Sequence, residues 1–193
     1  MPLEGGEELT RRAHNQISGK GEDLYASRKD FLDIFHEDLN GLYQLAFLLT
    51  GDHQKGERCF VSGIEDCAKQ SSVFRGWARG WAKRVIAEQA IREMHPRRKD
   101  SNPASVPTGF YNNQRSRRSI GHFEVDSILG LADFERFVFV LCVLEHYRGH
   151  DCARLLGCPV SEVRQARTRA IAELAGIAQA EAILKKTAST VVA

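Results

Sequence analysis

No stretch of this sequence approaches the roughly 20 consecutive apolar residues that span a bilayer. The opening segment, MPLEGGEELTRRAHNQ, holds no apolar run, so no signal peptide and no membrane partner are expected. Cysteine is sparse. The five residues Cys59, Cys67, Cys142, Cys152 and Cys158 are an odd number with no framework spacing, which argues against a disulfide scaffold. Cys142 and Cys152 sit among apolar residues, where a free thiol behaves as a small hydrophobe. A reducing, cytoplasmic setting is expected. There is no C-x-x-C pair, and structural zinc wants four ligands in paired short spacings. His146, His150 and Cys152, though close in sequence, are therefore not read as a metal site. No phosphate-cradling glycine loop, G-x-S-x-G or HExxH occurs. Glu65 and Asp66 adjoin a weak helical pattern with no evident pocket. No catalytic residues, no cofactor and no enzyme activity are expected.

What is present is ordinary globular chemistry, 42% hydrophobic and 27% charged, which allows a packed core. The net charge of +2 hides an uneven distribution. Residues 1–74 carry 8 Lys/Arg against 13 Asp/Glu, whereas residues 75–118 carry 11 against 3. Residues 119–147 return to 1 against 5, and residues 148–169 to 5 against 2. Two basic blocks separated by an acidic one suit two separate contacts with a polyanion. Solvated helix faces give the same count.

Periodicity organises the chain. Residues 1–29 are polar and glycine-bearing and predict a flexible N-terminal arm. From Asp30, Phe31, Ile34, Phe35, Asp38/Leu39, Leu42, Leu45/Ala46 and Leu49 recur at helical spacing, predicting one helix stopped by Thr50-Gly51-Asp52. A weaker helix is predicted near Glu57–Lys69, where Gly63 costs about 1 kcal/mol against alanine. A third runs from about Phe74 to Met94, ended by His95-Pro96. Residues 97–122, rich in Pro, Ser, Asn and Arg, read as a basic linker between a module at 30–96 and another at 123–178. The second module opens with a short helix over Asp126–Leu131, then a buried helix over Asp133–Tyr147. The run FVFVLCVL within it also suits a strand, but no other segment offers a strand partner. Asp133 is expected to cap this helix and Gly149 to follow its end. Helices over His150–Leu156 and Ser161–Ile177 complete an all-α chain of two small helical modules, with residues 179–193 as a C-terminal tail.

GHDCARLLGCPVSEVRQARTRA (Gly149–Ala170) has the parts of a helix-turn-helix. Ala153 allows a close helix crossing, Gly157 suits the turn, and Pro159 cannot continue the first helix. Cys152, Leu155 and Leu156 face inward, Cys158 and Val160 fill the turn, and Ser161 is expected as the N-cap. Val163, Ala166, Ala170 and Leu174 then form the inner face of the second helix. Ser161, Glu162, Arg164, Gln165, Thr168 and Arg169 are left outward. In this motif the N-terminal part of the second helix enters the major groove. Arg164 and Gln165 have forks that match guanine and adenine, and Arg154, Arg167 and Arg169 suit phosphates. An amphipathic helical pair with an incidental basic face shares the pattern.

Two segments together resemble the sigma-70 family, in its compact extracytoplasmic-function branch. LYQLAFLLTGD, GERCFVSGIEDC and FRGWARGWAKRVIAEQAIREMHPRR resemble its region 2, and Ile128–Leu174 resembles its region 4. The resemblance implies a transcription initiation protein whose region 4 recognises the upstream promoter element. Region 2 would bind the clamp of the RNA polymerase core, in its beta-prime subunit, and open the downstream element. Ala153, Leu156, Gly157, Val163, Arg164 and Arg169 match the family pattern. Ala166 stands where arginine is usual, Arg167 where an apolar residue is usual, and Ala132 where a proline is usual. In region 2 Glu57 is retained, while Arg58 and Val61 replace an acid and a glutamine of the polymerase-binding stretch. Trp77, Arg79, Trp81, Lys83 and Arg84 form a candidate promoter-melting face, since aromatics beside cations stack on unpaired bases. A Trp77/Trp81/Val85 stripe equally suits a core. Promoter DNA, polymerase core and an anti-sigma protein are the partners so implied. Two alternatives are a sigma-derived DNA-binding regulator that no longer engages polymerase and an all-α protein-interaction module.

Overall fold

The computed structural model describes residues 24–69, 72–96 and 123–191. The predicted linker and most of the predicted arm lie outside the described residues. The described residues are helical, with one isolated antiparallel bridge between Tyr25 and Phe74 and no strand. The helices are α1 (Arg28–Glu37), α2 (Leu39–Thr50), α3 (His53–Ala68), α4 (Ala78–Met94), α5 (Phe123–Gly130), α6 (Asp133–Phe139), α7 (Gly149–Leu156) and α8 (Val160–Val191). A 3-10 turn, Arg75–Trp77, leads into α4, and a π turn, Val140–Leu144, continues α6.

Residues 24–29 are pinned: Ala26 N–H donates to Val73 O at 2.7 Å, Arg75 N–H to Leu24 O at 2.9 Å, and the Tyr25 and Phe74 rings stack at 4.9 Å. Helix α1 then starts in a capping box. Asp30 N–H donates to Ser27 Oγ at 3.2 Å, and Ser27 N–H to Asp30 Oδ2 at 2.7 Å.

The single helix expected from Asp30 to Leu49 is two. Asp38 (φ −116°, ψ 33°) breaks it, and the Arg79 guanidinium holds both Asp38 and Glu37 at 3.1 Å. The break lets Phe31 and Phe35 enter the core from one direction, and Leu42, Leu45, Ala46 and Leu49 from another. Gly51 (φ 69°) ends α2, and Asp52 caps α3 by accepting from Lys55 N–H at 2.9 Å. Helix α3 therefore begins four residues before the expected Glu57. Gly63 has a packing purpose that its propensity cost conceals. A Cβ there would meet Ile86 Cγ1 at 3.0 Å, so the missing side chain is what lets α3 lie close against α4. His95, in left-handed conformation (φ 46°), closes α4.

In the second helical group the buried run is helical, as expected, but two details differ. Asp133 is not the cap of α6. Ala132 holds that position, and Asp133 Oδ1 instead accepts from Arg136 at 2.8 Å. The helix also ends at Leu144, three residues before the expected Tyr147. Glu145 N–H reaches back five residues to Val140 O at 2.9 Å, and His146 (φ 57°) reverses the chain into α7, which Gly149 begins. The last helix extends to Val191, past the predicted end at Ile177 and through the predicted tail.

The two groups share one core. Phe134, Phe137, Val138 and Leu141 join the same buried cluster as Leu45, Leu49 and Ile86. Arg136, only 1% exposed, reaches across it to Leu49 O at 3.4 Å, and its Nη1 donates to Leu129 O at 3.4 Å. Lys83 of α4 pairs with Glu145 at 2.7 Å.

Candidate nucleic-acid interface

Helices α7 and α8 form a tight pair joined at Gly157–Pro159. Gly157 (φ 64°) takes the left-handed position that glycine adopts most cheaply, and Cys158 N–H closes the turn on Ala153 O at 3.0 Å. Pro159 opens α8: its carbonyl accepts from Glu162 N–H at 3.0 Å and Val163 N–H at 3.4 Å. Helix α8 therefore begins at Val160, with Pro159 rather than the expected Ser161 in the cap position. Ser161 lies in the first turn, exposed.

The inner face is as the spacing predicts: Cys152, Ala153, Val163, Ala166 and Ala170 are buried. Leu155, Leu156 and Leu174 are half-buried. Ala166 is buried beneath α8, and Arg167 beside it is exposed.

The outer face divides in two. Arg164, Gln165, Arg167 and Thr168 project from the first turns of α8 with exposed side chains; Thr168 Oγ1 donates back to Arg164 O at 3.1 Å. Arg169 is also exposed, but Glu135 of α6 engages its Nε and Nη2 at 3.0 and 2.7 Å. Arg154 leans on Asp151 at 2.9 Å, an exposed pair that a phosphate can displace. Glu162 is half-buried.

Of the candidate melting residues, Trp77, Trp81, Lys83 and Arg84 line one open groove, and Arg79 lies outside it. Trp77, 70% exposed, lies in the 3-10 turn with its ring T-shaped to Phe74 at 5.2 Å. Trp81 packs on the core with its Nε1 buried and unpartnered among the described residues, and the Arg84 guanidinium lies 5.9 Å from its ring centre. Arg79 is held by Glu37 and Asp38, Lys83 by Glu145, and Arg84 by Glu88 at 2.9 Å. An open groove of about 930 Å³ runs between the two helical groups past Phe74, Trp77, Trp81, Lys83, Tyr147 and Arg148. Burial, helped by Glu145, pushes the Tyr147 hydroxyl up to about 12.

Glu57, Arg58 and Val61 do share an exposed face of α3. Arg58 is not an unmatched positive charge there, because Glu93 of α4 holds it at 2.6 Å.

No protein-family model matches the chain, and no curated protein sequence does. Among solved structures the chain is similar to the sigma factor RpoE of Bartonella quintana, solved in complex with the anti-sigma factor NepR. The TM-score is 0.47 and the identity 18%, over 78% of this chain and 98% of that one.

Sequence reasoning missed the residues that join the two groups. Arg136 is a lone cation inside an apolar run, FERFVFVLCVL, and that placement was its only signal. Glu135 and Glu145, counted in the sequence only as part of the acidic block, are both engaged in ion pairs.

Proposed function

We propose that this chain is a sigma-factor-like transcription initiation protein that binds promoter DNA through the first turns of α8. One observation carries the reading. A tight helix pair with a left-handed glycine turn buries Val163, Ala166 and Ala170 and leaves Arg164, Gln165, Arg167 and Thr168 exposed together at the start of the second helix. Those side chains can form two base-reading forks and a phosphate contact on a helix end that fits a major groove. Arg154, across the turn, suits a flanking phosphate. Arg169 is available only after Glu135 releases it.

The test is site selection from random duplexes, followed by titration of the selected site across a salt series. Arg164→Ala is expected to weaken the selected site by about 1–3 kcal/mol and relax one base position, while Arg154→Ala weakens all sequences alike. Salt-independent binding, or an unchanged consensus in Arg164→Ala, overturns the docking.

Polymerase engagement is the finer part of the proposal, and α3 bears on it. Arg58 and Val61 stand among groups that resemble a clamp-binding stretch, and a cation facing a basic clamp lowers affinity. The Arg58–Glu93 pair favours a second reading, a DNA-binding regulator that does not engage polymerase, since that pair neutralises the face rather than making it acidic. Titration of labelled chain against core enzyme separates the two. Gain of binding in Arg58→Gln with Val61→Gln supports α3 as the contact.

A further inference from the structure

Two arginines flank the exposed face of α8, and an acid holds each of them differently. Arg154 makes a single contact with Asp151 at 2.9 Å, and the acid's side chain is 42% exposed. Water reaches such a pair freely, so it is weak and easily exchanged. Arg169 stands one helical turn beyond Gln165 and is gripped twice. Its Nε and Nη2 donate to Glu135 Oε1 at 3.0 and 2.7 Å, and the Glu135 side chain is only 16% exposed. Arg164 and Arg167 are exposed and carry no ion pair among the described residues.

The surroundings of Glu135 keep this grip in place. The residue lies in the first turn of α6, where the positive end of the helix favours a carboxylate. The other acid of that turn, Asp133, is engaged by Arg136, which leaves Arg169 to Glu135. Freeing Arg169 strands a half-shielded carboxylate, and the less water reaches a charge, the more the loss of its partner costs. Nε and Nη2 side by side are also a fork with which an arginine takes a phosphate. Glu135 therefore occupies the donors that a DNA backbone would need.

We propose, resting on the promoter-binding reading above, that Glu135 is a specificity-determining residue of the helix pair: a built-in competitor for phosphate that keeps Arg169 off non-cognate DNA. Sequence-independent binding is a sum of loose, exchangeable phosphate contacts. Such a complex gains little from Arg169, because one hydrated phosphate must replace a two-fold grip on Glu135. A seated complex is different. Arg164 and Gln165 on base edges fix the backbone against α8, and a phosphate held there can displace the carboxylate. Glu135 thus lowers affinity for sequences that lack the site and affects the base-read complex less. It discriminates by penalising the wrong partner, without adding a contact to the right one.

The test is Glu135→Gln in the full chain, which keeps the side chain's size and removes its charge. Two duplexes are titrated across a salt series: the site selected by the natural chain and a shuffled sequence. Glu135→Gln is expected to bind the shuffled duplex about three- to tenfold tighter, with a salt slope steeper by about 0.9, the mark of one more neutralised phosphate. The selected site gains less, so the ratio of the two affinities falls. Glu65→Gln, at an exposed position of α3, makes the same change in net charge and should leave that ratio as it is. The double variant Glu135→Gln with Arg169→Ala has no charge at either position. It should bind the shuffled duplex as the natural chain does and the selected site less tightly. If Glu135→Gln lowers the helical dichroism, the double variant carries the test, since it strands no charge. Unchanged or weaker binding of the shuffled duplex by a folded Glu135→Gln overturns the proposal. So does weaker binding of that duplex by the double variant, which would mean that Arg169 already touches DNA in the natural chain. Failure of the docking itself reads differently: Arg164→Ala then leaves the selected consensus unchanged, and the role of Glu135 falls with it.

Discussion

Arg136 is the residue on which the join between the two helical groups turns. Its guanidinium sits at the C-terminal end of α2, where Leu49 O is one of the carbonyls the helix leaves unpaired, and a cation there also meets the negative end of the helix dipole. The fork packs over Gly51, where a Cβ would lie 3.4 Å from the guanidinium carbon and where the left-handed φ of 69° favours glycine. Arg136→Ala leaves the carbonyls of Leu49 and Leu129 buried without this donor and opens a cavity. A loss of about 3 kcal/mol in urea unfolding is expected, and Arg136→Lys should recover little, because an ammonium cannot reach both acceptors. Near-wild-type stability in Arg136→Ala would place the join elsewhere. At the other end of the chain, the hydrogen bonds from Ser27 hold the Asp30 carboxyl below its ordinary 3.8, with Arg75 assisting. A depressed carboxylate contributes stability above its unfolded value and loses it as pH falls through the folded one. Ser27→Ala is therefore expected to cost about 1 kcal/mol at pH 7. Part of that cost should fade in unfolding curves as pH falls below 3.8 and on through the lower folded value, beneath which Asp30 is protonated in both states.

Element by element, the apolar stripes were legible and the irregular joints were not. Every predicted helix exists, because the Leu42–Leu49 and Val163–Ala170 stripes bury on one face as 3.6-residue periodicity demands. The break at Asp38 and the π turn at 140–144 escaped notice, since both keep the stripe going while changing its direction. At the candidate interface the inner and outer faces were legible, but the Glu135–Arg169 pair was not, because 34 residues separate its partners. Gly63 shows how local reasoning misjudges an element. Propensity alone predicts that Gly63→Ala stabilises α3 by about 1 kcal/mol. The contact with Ile86 Cγ1 at 3.0 Å opposes this, because that fully buried side chain must give by a few tenths of an ångström to admit the methyl group. A net loss of about 1–2 kcal/mol is expected. In a double-mutant cycle, Ile86→Ala should absorb most of it, while strict additivity would remove the close-approach explanation.

For the whole molecule, the sequence suggested two modules on a linker, whereas the described residues place one apolar core across both. Three features hold it together: Phe134, Phe137 and Leu141 packed against the first group, Arg136 on the end of α2, and Lys83 paired with Glu145. That ion pair is half-shielded, with side chains 34% and 17% exposed, so it is screened less by salt than a surface pair. If this contact holds without the covalent connection, cutting the chain should not separate its halves. A protease site inserted between residues 97 and 122 and then cleaved is expected to give two fragments that co-elute as one species in size exclusion. Tryptophan fluorescence, which reports only the first group, and far-ultraviolet dichroism, which reports both, should then give coincident unfolding curves. Lys83→Glu sets two carboxylates against each other at the seam, and the cleaved variant should dissociate at micromolar concentration. Adding Glu145→Lys restores opposite charges and should restore co-elution, which a mere loss of folding in Lys83→Glu would not allow. Separation of the natural fragments on cleavage would mean that the shared core depends on the linker, and that the two groups meet only because they are tethered.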